Sequence, residues 1–512
     1  MKPPQQQSNE VSHPFRSPRV AAATGKDGAP SGRNGAPGGE VSHPSRKMPP
    51  HRRRPVRGDP EDTARVGHPS KRGGPVVEPQ LVEIEKPIYG GAFLARVEGK
   101  AVFVPLTLPG EQARVRIAEN KRGYATAEAE EIVAAAPERV LPACPHFGTC
   151  GGCHYQHASY EAQLAFKQAI LRETLERGGV TAPAQICVLA GEPWRYRNRI
   201  RLAFDAAGNP GYRGRRSSFV VPISECPIAA PLLVDAATAA AEVARQLVPG
   251  LRPTEIALFC IAAESALLAS VFVSSAGLPS PAKAGAGFDE FAIALSERIP
   301  ALKGAELAAE GRANEKPRTI KQWGATSLTY RAAGFDFRVD QGAFFQVNRF
   351  LIDALVERVA AGHNGQLAWD LFAGVGLFAR RLTASFARVV AVESAPAATQ
   401  ALAANVKGTG GTAARSTTID FLRRTGKGRR TVPAAPGLIV VDPPRTGLGA
   451  EISALLAAIA APALVCVSCD PATLARDLRV LIGSGYAIQS ITLADLFPQT
   501  FHLETVVQLR RS

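Results

Sequence analysis

Residues 367–377, Leu-Ala-Trp-Asp-Leu-Phe-Ala-Gly-Val-Gly-Leu, contain an apolar run that ends at Asp370 and leads into a glycine-rich turn. A second apolar run, Val-Val-Ala-Val, follows and ends at Glu393. Glycines let the backbone approach a nucleotide closely, and an acidic residue that ends the second strand can bind ribose hydroxyls. The pattern predicts a nucleotide-binding crevice, although so short a motif is also typical of any tight turn in an α/β protein.

Strand and helix signals alternate from this stretch to the carboxyl end of the sequence. Apolar runs at 437–442 and 463–468 each end in a turn, and helical segments separate them. This alternation predicts a doubly wound parallel sheet, which is a Rossmann-like α/β domain. The turn lacks the third glycine of the dinucleotide fingerprint, and Asp442-Pro-Pro-Arg445 ends a neighbouring strand. Both facts favour S-adenosylmethionine over a dinucleotide as the ligand.

Four regions differ in composition and pattern. Residues 1–78 are rich in Pro, Gly, Ser and Arg, which predicts a disordered basic tail. Several short strand signals in 79–137 predict a small β-barrel of the OB type. Residues 138–335 mix helix and strand signals and predict a central α+β domain, and residues 336–512 form the Rossmann-like domain. The expected fold class is therefore α/β with a barrel and an α+β domain added.

The net charge of the chain indicates what kind of partner it binds. The 512 residues carry a formal net charge of +15 and have a pI of about 9.7, which favours RNA or DNA as the partner. The alternative is a chain that is merely rich in arginine. No apolar core of a signal peptide and no run of about 18 apolar residues is evident. We therefore expect a cytoplasmic monomer without a membrane partner.

Cys469 lies directly after the apolar run 463–468, where active sites form in such sheets. Carbon 5 of a pyrimidine is too weak a nucleophile to take a methyl group directly. A thiolate that adds to carbon 6 moves electron density to carbon 5, and a base must later remove the carbon 5 proton. Glu504, which ends the stretch 495–504, is the candidate base. The alternatives are a core cysteine, as expected for Cys466, and an exposed strand-end carboxylate.

A second set of thiols lies upstream. Cys144, Cys150 and Cys153 are close in sequence, and Cys226 follows in Ser-Glu-Cys-Pro. Three close cysteines with a distant fourth suit a four-thiolate metal site, and zinc and an iron–sulfur cluster both fit these ligands. Unligated thiols in a reducing compartment are the alternative.

Three motifs occur together in the C-terminal region. They are Asp442-Pro-Pro-Arg-x-Gly447, Val467-Ser-Cys-Asp-Pro-Ala-Thr-Leu-Ala-Arg476 and Asp495-Leu-Phe-Pro-Gln-Thr-Phe-His-Leu-Glu504. From about residue 80 onward the chain resembles the uracil-5 RNA methyltransferases, in particular the branch that acts on 23S ribosomal RNA. The resemblance implies that S-adenosylmethionine methylates carbon 5 of a specific uridine, with Cys469 as the nucleophile and Glu504 as the base.

The same resemblance implies a TRAM domain at 79–137 and a four-iron, four-sulfur (4Fe-4S) cluster on Cys144, Cys150, Cys153 and Cys226. The cofactor contacts that it implies are Gln346, Phe372, Glu393, Asp420 and Asp442. Two positions depart from the family pattern, because Leu377 replaces a polar residue in the glycine loop and Asp470 replaces an asparagine after the nucleophile. A carboxylate at 470 disfavours a thiolate at 469 unless it is turned away.

The substrate has several candidates. Two basic stretches that also carry aromatic residues, 194–199 and 211–216, match regions near the family's RNA groove, where phosphate contact and base stacking are expected. Exposed basic strands are the alternative. The competing functions are uracil-5 methylation of transfer RNA, cytosine-5 methylation, and a noncatalytic role in RNA binding or ribosome assembly. The third motif argues against cytosine, and the intact Cys469 and Glu504 argue against a noncatalytic role.

Overall fold

The computed structural model describes residues 78–248, 250–275, 281–311, 317–426 and 435–511. These ranges all belong to one compact unit, Gly74–Ser512. The predicted basic tail, 1–78, lies outside the described residues except for its last position. No helix in the described ranges is both long and apolar enough to span a bilayer.

The first described region is a closed barrel of five strands, as predicted. The strand order around it is β1-β2-β3-β5-β4, and β3 pairs with β5 in parallel. Val82 and Ile84 of the first strand are buried while the glutamates beside them are exposed, because side chains alternate along a strand. The strands are β1 (Gln80–Pro87), β2 (Ala92–Val97), β3 (Lys100–Pro105), β4 (Gln112–Asn120) and β5 (Ala125–Ala134).

Helix α1 (Tyr160–Arg177) and strand β6 (Cys187–Leu189) lie in the central sequence region but pack on the C-terminal sheet. The helix begins where the Ser159 hydroxyl accepts a hydrogen bond from the Ala162 amide at 3.3 Å, and it ends at Gly178. A Cβ atom at Gly178 would lie 2.5 Å from the Cβ of Ala475, so this close contact between helices requires glycine.

The central region forms a seven-stranded sheet with the order β13-β12-β11-β10-β7-β8-β9, against which two helices pack. Strand β11 is buried along its whole length, as expected for an inner strand with covered faces. A separate hairpin, β14–β15, packs in the core of the C-terminal domain. The elements are β7 (Arg199–Phe204), β8 (Pro210–Arg213), β9 (Val220–Pro222), α2 (Pro231–Gln246), β10 (Pro253–Cys260), β11 (Leu267–Val273), α3 (Pro281–Arg298), β12 (Leu302–Ala309), β13 (Arg318–Gly324), β14 (Ser327–Ala332) and β15 (Phe335–Asp340).

The C-terminal region forms an eight-stranded sheet with the order β18-β17-β16-β19-β20-β22-β21-β6. Strands β16 to β20 pair in parallel, whereas β22 is antiparallel to both of its neighbours. The elements are α4 (Ile352–Ala360), β16 (Gly365–Leu371), α5 (Leu377–Leu382), β17 (Phe386–Glu393), α6 (Pro396–Val406), β18 (Gly411–Arg415), α7 (Thr418–Gly426), β19 (Leu438–Val441), α8 (Gly449–Ile459), β20 (Ala463–Ser468), α9 (Pro471–Gly483), β21 (Tyr486–Ala494) and β22 (Glu504–Arg511).

The strand order places a crevice at the carboxyl edge of this sheet. The chain runs outward from β16 to β18 and then returns to β19 on the other side of β16. In open α/β sheets, ligands bind at the carboxyl ends of the strands where the order reverses in this way. The doubly wound Rossmann-like sheet is therefore confirmed, and its reversal point lies between β16 and β19.

Candidate active site

Cys469 and Glu504 lie at the ends of two paired antiparallel strands. The register of β20 and β22 runs as far as Ser468 opposite Thr505; continued by one residue, it sets Cys469 opposite Glu504, and the charge of Glu504 acts on the Cys469 thiol. Residues directly opposite on antiparallel strands have side chains on the same face. Glu504 is 5% exposed and Cys469 is partly exposed. The structure therefore brings the two predicted catalytic residues together.

Asp442, which follows β19, interacts with both of them. Burial raises the pKa of Asp442 to about 7. Burial also raises the pKa of Glu504 well above its ordinary value, and the negative charge of Asp442 raises it further. Among the described residues, Oε1 of Glu504 is buried without a hydrogen-bond partner. Two adjacent buried carboxyl groups do not both ionise readily, so the pKa of each of these two carboxyl groups is raised by burial and that of Glu504 also by the charge of Asp442.

The Cys469 thiol is not stabilised as an anion in the free protein, although the chemistry requires a thiolate. Burial is the main cause that raises its pKa to about 11, and the negative charges of Glu504 and Asp442 act in the same direction. The positive charge of Arg445 opposes the rise.

Asp470 is turned away from the thiol. Its Oδ1 accepts hydrogen bonds from the amides of Ala472 and Thr473 at 3.1 and 2.9 Å, and it caps the N-terminus of α9. Unpaired amides and the helix dipole stabilise a negative charge at this position. Asparagine caps helices equally well, so the departure from the family's asparagine adds a negative charge at this cap beside Cys469.

The glycine-rich turn joins the ends of β16 and β17. Gly374 and Gly376 have φ angles of 55° and 90°, which glycine adopts without strain. The amide of Gly374 donates to Oε2 of Glu393 at 2.9 Å. Asp370 accepts a hydrogen bond from the Ala379 amide at 2.7 Å, and burial raises the pKa of its carboxyl group to about 8. Two acidic residues are therefore fixed on either side of the turn.

The remaining predicted cofactor contacts have different environments. Phe372 has a φ angle of 65° and packs partly buried against the sheet core. Gln346 is buried, and its backbone carbonyl oxygen accepts a hydrogen bond from the Asn198 side chain at 3.0 Å. Asp420 is exposed on α7 and accepts a hydrogen bond from the Thr417 hydroxyl at 2.6 Å. Leu377 is buried at the start of α5, so it fills core space where the family has a polar residue.

The loop 495–503, which leads into Glu504, is held by residues that the sequence did not indicate. Lys167 of α1 forms a buried ion pair with Asp495 at 2.5 Å and also donates to the Phe497 carbonyl oxygen at 2.9 Å. One turn earlier on the same helix, Gln163 exchanges two hydrogen bonds with Gln499, at 3.0 and 2.9 Å. Helix α1 therefore fixes the approach to the candidate base.

His502 lies among aromatic rings next to Arg445. Burial, together with the positive charge of Arg445, lowers the pKa of His502 to about 3. Its ring packs against Phe501 and Phe497, with centroids 4.3 and 5.7 Å away. A neutral imidazole held between aromatic rings is suited to packing or hydrogen bonding rather than to proton removal at neutral pH.

The four upstream cysteines line one cavity. Cys144, Cys150, Cys153 and Cys226 all border it, as does Arg197. No set of three or more His, Cys, Asp and Glu side chains in the described ranges could hold a metal ion as placed, so the predicted cluster is not shown. A single ion needs all its donors within about 2.3 Å of one point, whereas each thiolate of a cluster binds a different iron. The structure places the four thiols on the wall of one cavity.

The two basic stretches are only partly available for RNA. Arg195 and Arg216 are exposed. Arg197 instead lines the cysteine cavity, and its buried Nε lacks a hydrogen-bond partner among the described residues. Arg199 donates to the Ala343 carbonyl oxygen at 2.6 Å and lies over the ring of Phe259. Part of the predicted phosphate-binding charge therefore has a structural role.

Comparisons with known proteins agree with this architecture. A family model described as tRNA (Uracil-5-)-methyltransferase matches residues 289–512, and a TRAM domain model matches residues 76–129. The 23S rRNA (uracil(1939)-C(5))-methyltransferase RlmD of Chromohalobacter salexigens is 33% identical over 442 residues, which cover 84% of this chain and 89% of that protein. An uncharacterized RNA methyltransferase of Streptomyces avermitilis is 33% identical over 452 residues, which cover 84% of this chain and 97% of that protein.

A solved structure shares the fold. The tRNA (uracil-54, C5)-methyltransferase of Pyrococcus abyssi, in complex with S-adenosyl-L-homocysteine, has a TM-score of 0.64 and 22% identity. The match covers 84% of this chain and 100% of that chain. The relatives at 33% identity span most of this chain and nearly all of their own length. The chain therefore belongs to the RNA uracil-5 methyltransferase family, whose members methylate uracil with S-adenosylmethionine, and it carries a TRAM domain before its catalytic region.

Proposed function

We propose that this protein methylates carbon 5 of a specific uridine in 23S ribosomal RNA through a covalent bond between Cys469 and the uracil. The observation that carries the proposal is the placement of Cys469 opposite Glu504 at the carboxyl edge of the sheet. The glycine-rich turn that supports donor binding lies at the same edge. A nucleophile, a base and a methyl donor are the three parts that this reaction needs.

The first step is addition of the Cys469 thiolate to carbon 6 of the uracil, which loads electron density onto carbon 5. In the free protein the thiol is protonated, because its pKa is raised to about 11. The sulfonium of the donor brings a positive charge into a crevice that otherwise holds Asp442 and Glu504. Such a charge lowers the cost of ionising the thiol and the neighbouring carboxyl groups. We therefore expect donor binding to activate Cys469.

Carbon 5 then takes the methyl group from the sulfonium, which leaves as S-adenosylhomocysteine. Glu504 removes the proton from carbon 5, the bond between carbon 6 and sulfur breaks, and Cys469 is released. Burial, together with the nearby charge of Asp442, raises the pKa of Glu504, which makes its carboxylate a stronger base than an exposed glutamate. Gln346, Phe372, Glu393, Asp420 and Asp442 are the proposed donor contacts.

We propose that Cys144, Cys150, Cys153 and Cys226 hold a 4Fe-4S cluster. The four thiols line one cavity, and Arg197 at its wall has a buried nitrogen without a hydrogen-bond partner among the described residues. Four thiolates around a cluster give a net negative charge, which this guanidinium would compensate. The cluster would then have a structural role, since the cavity is lined by residues 144–156 and by residues of the central region around Tyr212 and Cys226.

Transfer RNA is the second candidate substrate. The family model and the P. abyssi structure both carry transfer-RNA names, whereas relatives of higher identity carry the ribosomal name. The exposed arginines of the basic stretches would contact phosphates of either RNA.

The test is a methylation assay with tritiated donor on unmodified 23S ribosomal RNA and on unmodified transfer RNA. We expect incorporation into ribosomal RNA at one uridine, mapped by mass spectrometry of nuclease fragments. Cys469→Ala should abolish incorporation, whereas Cys187→Ala, at a partly exposed cysteine of β6, should not. Incorporation into transfer RNA alone would show that transfer RNA, and not 23S ribosomal RNA, is the substrate. Full activity of Cys469→Ala would overturn the proposed mechanism.

A further inference from the structure

Tyr89 belongs to the barrel but reaches the turn that carries Cys469. It lies between β1 and β2, and its hydroxyl donates to the carbonyl oxygen of Cys469 at 3.4 Å. Its ring packs edge-on against the ring of Phe501, with centroids 5.5 Å apart. Tyr89 also packs, partly buried, against the core of the C-terminal sheet. One barrel side chain thus touches both the nucleophile's turn and the loop that leads to Glu504.

The conformation of the β1–β2 turn positions the Tyr89 side chain. Gly90 and Gly91 have φ angles of 108° and 85°, in a region that other residues rarely adopt. A Cβ atom at Gly91 would lie 2.8 Å from the His154 ring, so the backbone must pass close to the cysteine segment here. At the end of β1, Lys86 forms an ion pair with Glu173 of α1 at 2.8 Å. Glycine is therefore required where the barrel packs closely on the catalytic domain.

Some of the bonds that hold the turn at Cys469 are local. The Ser468 hydroxyl lies 3.2 Å from the Asp470 carbonyl oxygen and 3.4 Å from the Asp470 amide. The bond from Tyr89 comes instead from a residue 380 positions away in sequence. Burial, followed by the negative charge of Asp470 and a side-chain hydrogen bond with Asp470, raises the pKa of Tyr89 to about 12, although the positive charge of Arg445 opposes the rise. The hydroxyl therefore remains a donor throughout the working pH range.

We propose that Tyr89 is a positioning residue for methyl transfer, whose hydroxyl fixes the peptide group that carries the Cys469 side chain. The barrel would then complete the active site in addition to any contact it makes with RNA. The inference rests on the proposed role of Cys469 as the nucleophile. Tyr89 acts through the backbone of the nucleophile and does not touch the reacting atoms.

The test compares Tyr89→Phe with the wild type in the full-length protein. The variant keeps the ring that packs on Phe501 and removes only the hydroxyl. We expect kcat, and the rate of covalent adduct formation with RNA that contains 5-fluorouridine, to fall about threefold to tenfold, as for the loss of one hydrogen bond. The KM values for donor and RNA, and the melting temperature, should not change. Tyr124→Phe, which removes another barrel hydroxyl, should behave as wild type.

Adduct formation at the wild-type rate in Tyr89→Phe would overturn the inference. A loss that appears in KM alone, or only with a fall in melting temperature, would also overturn it, because either would indicate RNA binding or stability rather than positioning. Cys469→Ala, assayed in parallel, separates this inference from the proposed function. If that variant remains active, the proposed mechanism fails whatever the result with Tyr89→Phe.

Discussion

The buried ion pair between Lys167 and Asp495 offers a test of how the loop before Glu504 is held. Neither side chain is exposed, and Nζ lies 2.5 Å from Oδ1. Replacement of Lys167 by Met keeps the length and apolar stem of the side chain but removes the charge and the hydrogen bond to the Phe497 carbonyl oxygen. Asp495 then remains buried without its cation.

The expected effect on stability follows from this burial. Removal of one partner of a buried pair costs about 3–5 kcal/mol, because the remaining charge is uncompensated. The folded unit spans Gly74–Ser512, for which the entropy of unfolding is roughly 0.9 kcal/mol/K. The melting temperature should therefore fall by about 3–5 °C. At 25 °C, where the variant is still folded, we expect kcat to fall about tenfold to hundredfold, since the displaced loop leads directly into Glu504.

Differential scanning calorimetry and steady-state kinetics measure the two effects. Lys321→Met is the matched control, because Lys321 pairs with Asp289 at 3.0 Å while both side chains are about two-fifths exposed, and it should change the melting temperature by less than about 1 °C. The double variant Lys167→Met/Asp495→Asn should recover part of the lost stability, since the unpaired charge is gone. Additive losses in the double variant, or normal turnover in Lys167→Met, would refute the reasoning.

Three further predictions concern the site and the cysteine cavity. Replacement of Glu504 by Gln should trap a covalent RNA–protein adduct that survives denaturing electrophoresis, because methylation proceeds while proton removal stalls; free methylated product formed at the normal rate would exclude the proposed base. Alkylation of Cys469 by iodoacetamide in the free protein should accelerate about tenfold per pH unit up to about pH 10, because its pKa is raised to about 11. A plateau near pH 9 would contradict that environment. The wild type, purified anaerobically, should contain about four irons per chain. Cys153→Ser should lose most of this iron, whereas the control Cys187→Ser should keep it. Equal iron content in all three proteins would show that this cavity does not hold the cluster.

The fold of the catalytic region was predictable because its signals are local. Apolar runs that end in Asp370, Glu393 and Asp442 mark buried parallel strands, and the structure places all three acids at one edge of the sheet. The order of the strands was not predictable in this way. Insertion of the antiparallel strand β22 between β20 and β21 depends on long-range pairing, and this pairing sets Cys469 opposite Glu504.

Residues whose roles depend on distant partners escaped the sequence analysis. Lys167 and Gln163 are polar side chains on helix α1, and polar helix residues are ordinarily assigned to the solvent face. Gln163 and Lys167 are four positions apart and lie among the buried residues of the helix. The reason for their burial is the loop 495–503, to which both side chains bond. Arg197 and Arg199 were expected to contact RNA, but in the structure they contact other parts of the protein. A local sequence pattern does not reveal which side chains other elements will cover.

The acidity of the Cys469 thiol could not be predicted from the sequence alone. From the sequence, the carboxylate of Asp470 was expected to disfavour a thiolate at Cys469. In the structure this carboxylate instead caps α9. The pKa of the thiol is raised instead by burial, followed by Glu504 and Asp442, which are distant in sequence. Summed burial and charge therefore set the property on which catalysis depends.

The most direct test of the central claim is to identify the residue that becomes bound to the substrate. The protein is incubated with S-adenosylmethionine and a ribosomal RNA fragment that contains 5-fluorouridine, in which the fluorine blocks removal from carbon 5. After digestion with nuclease and protease, mass spectrometry should find the methylated fluorouracil attached to the peptide that contains Cys469. Attachment to a different cysteine, or methylation of unmodified RNA without any adduct from the fluorinated RNA, would contradict the account.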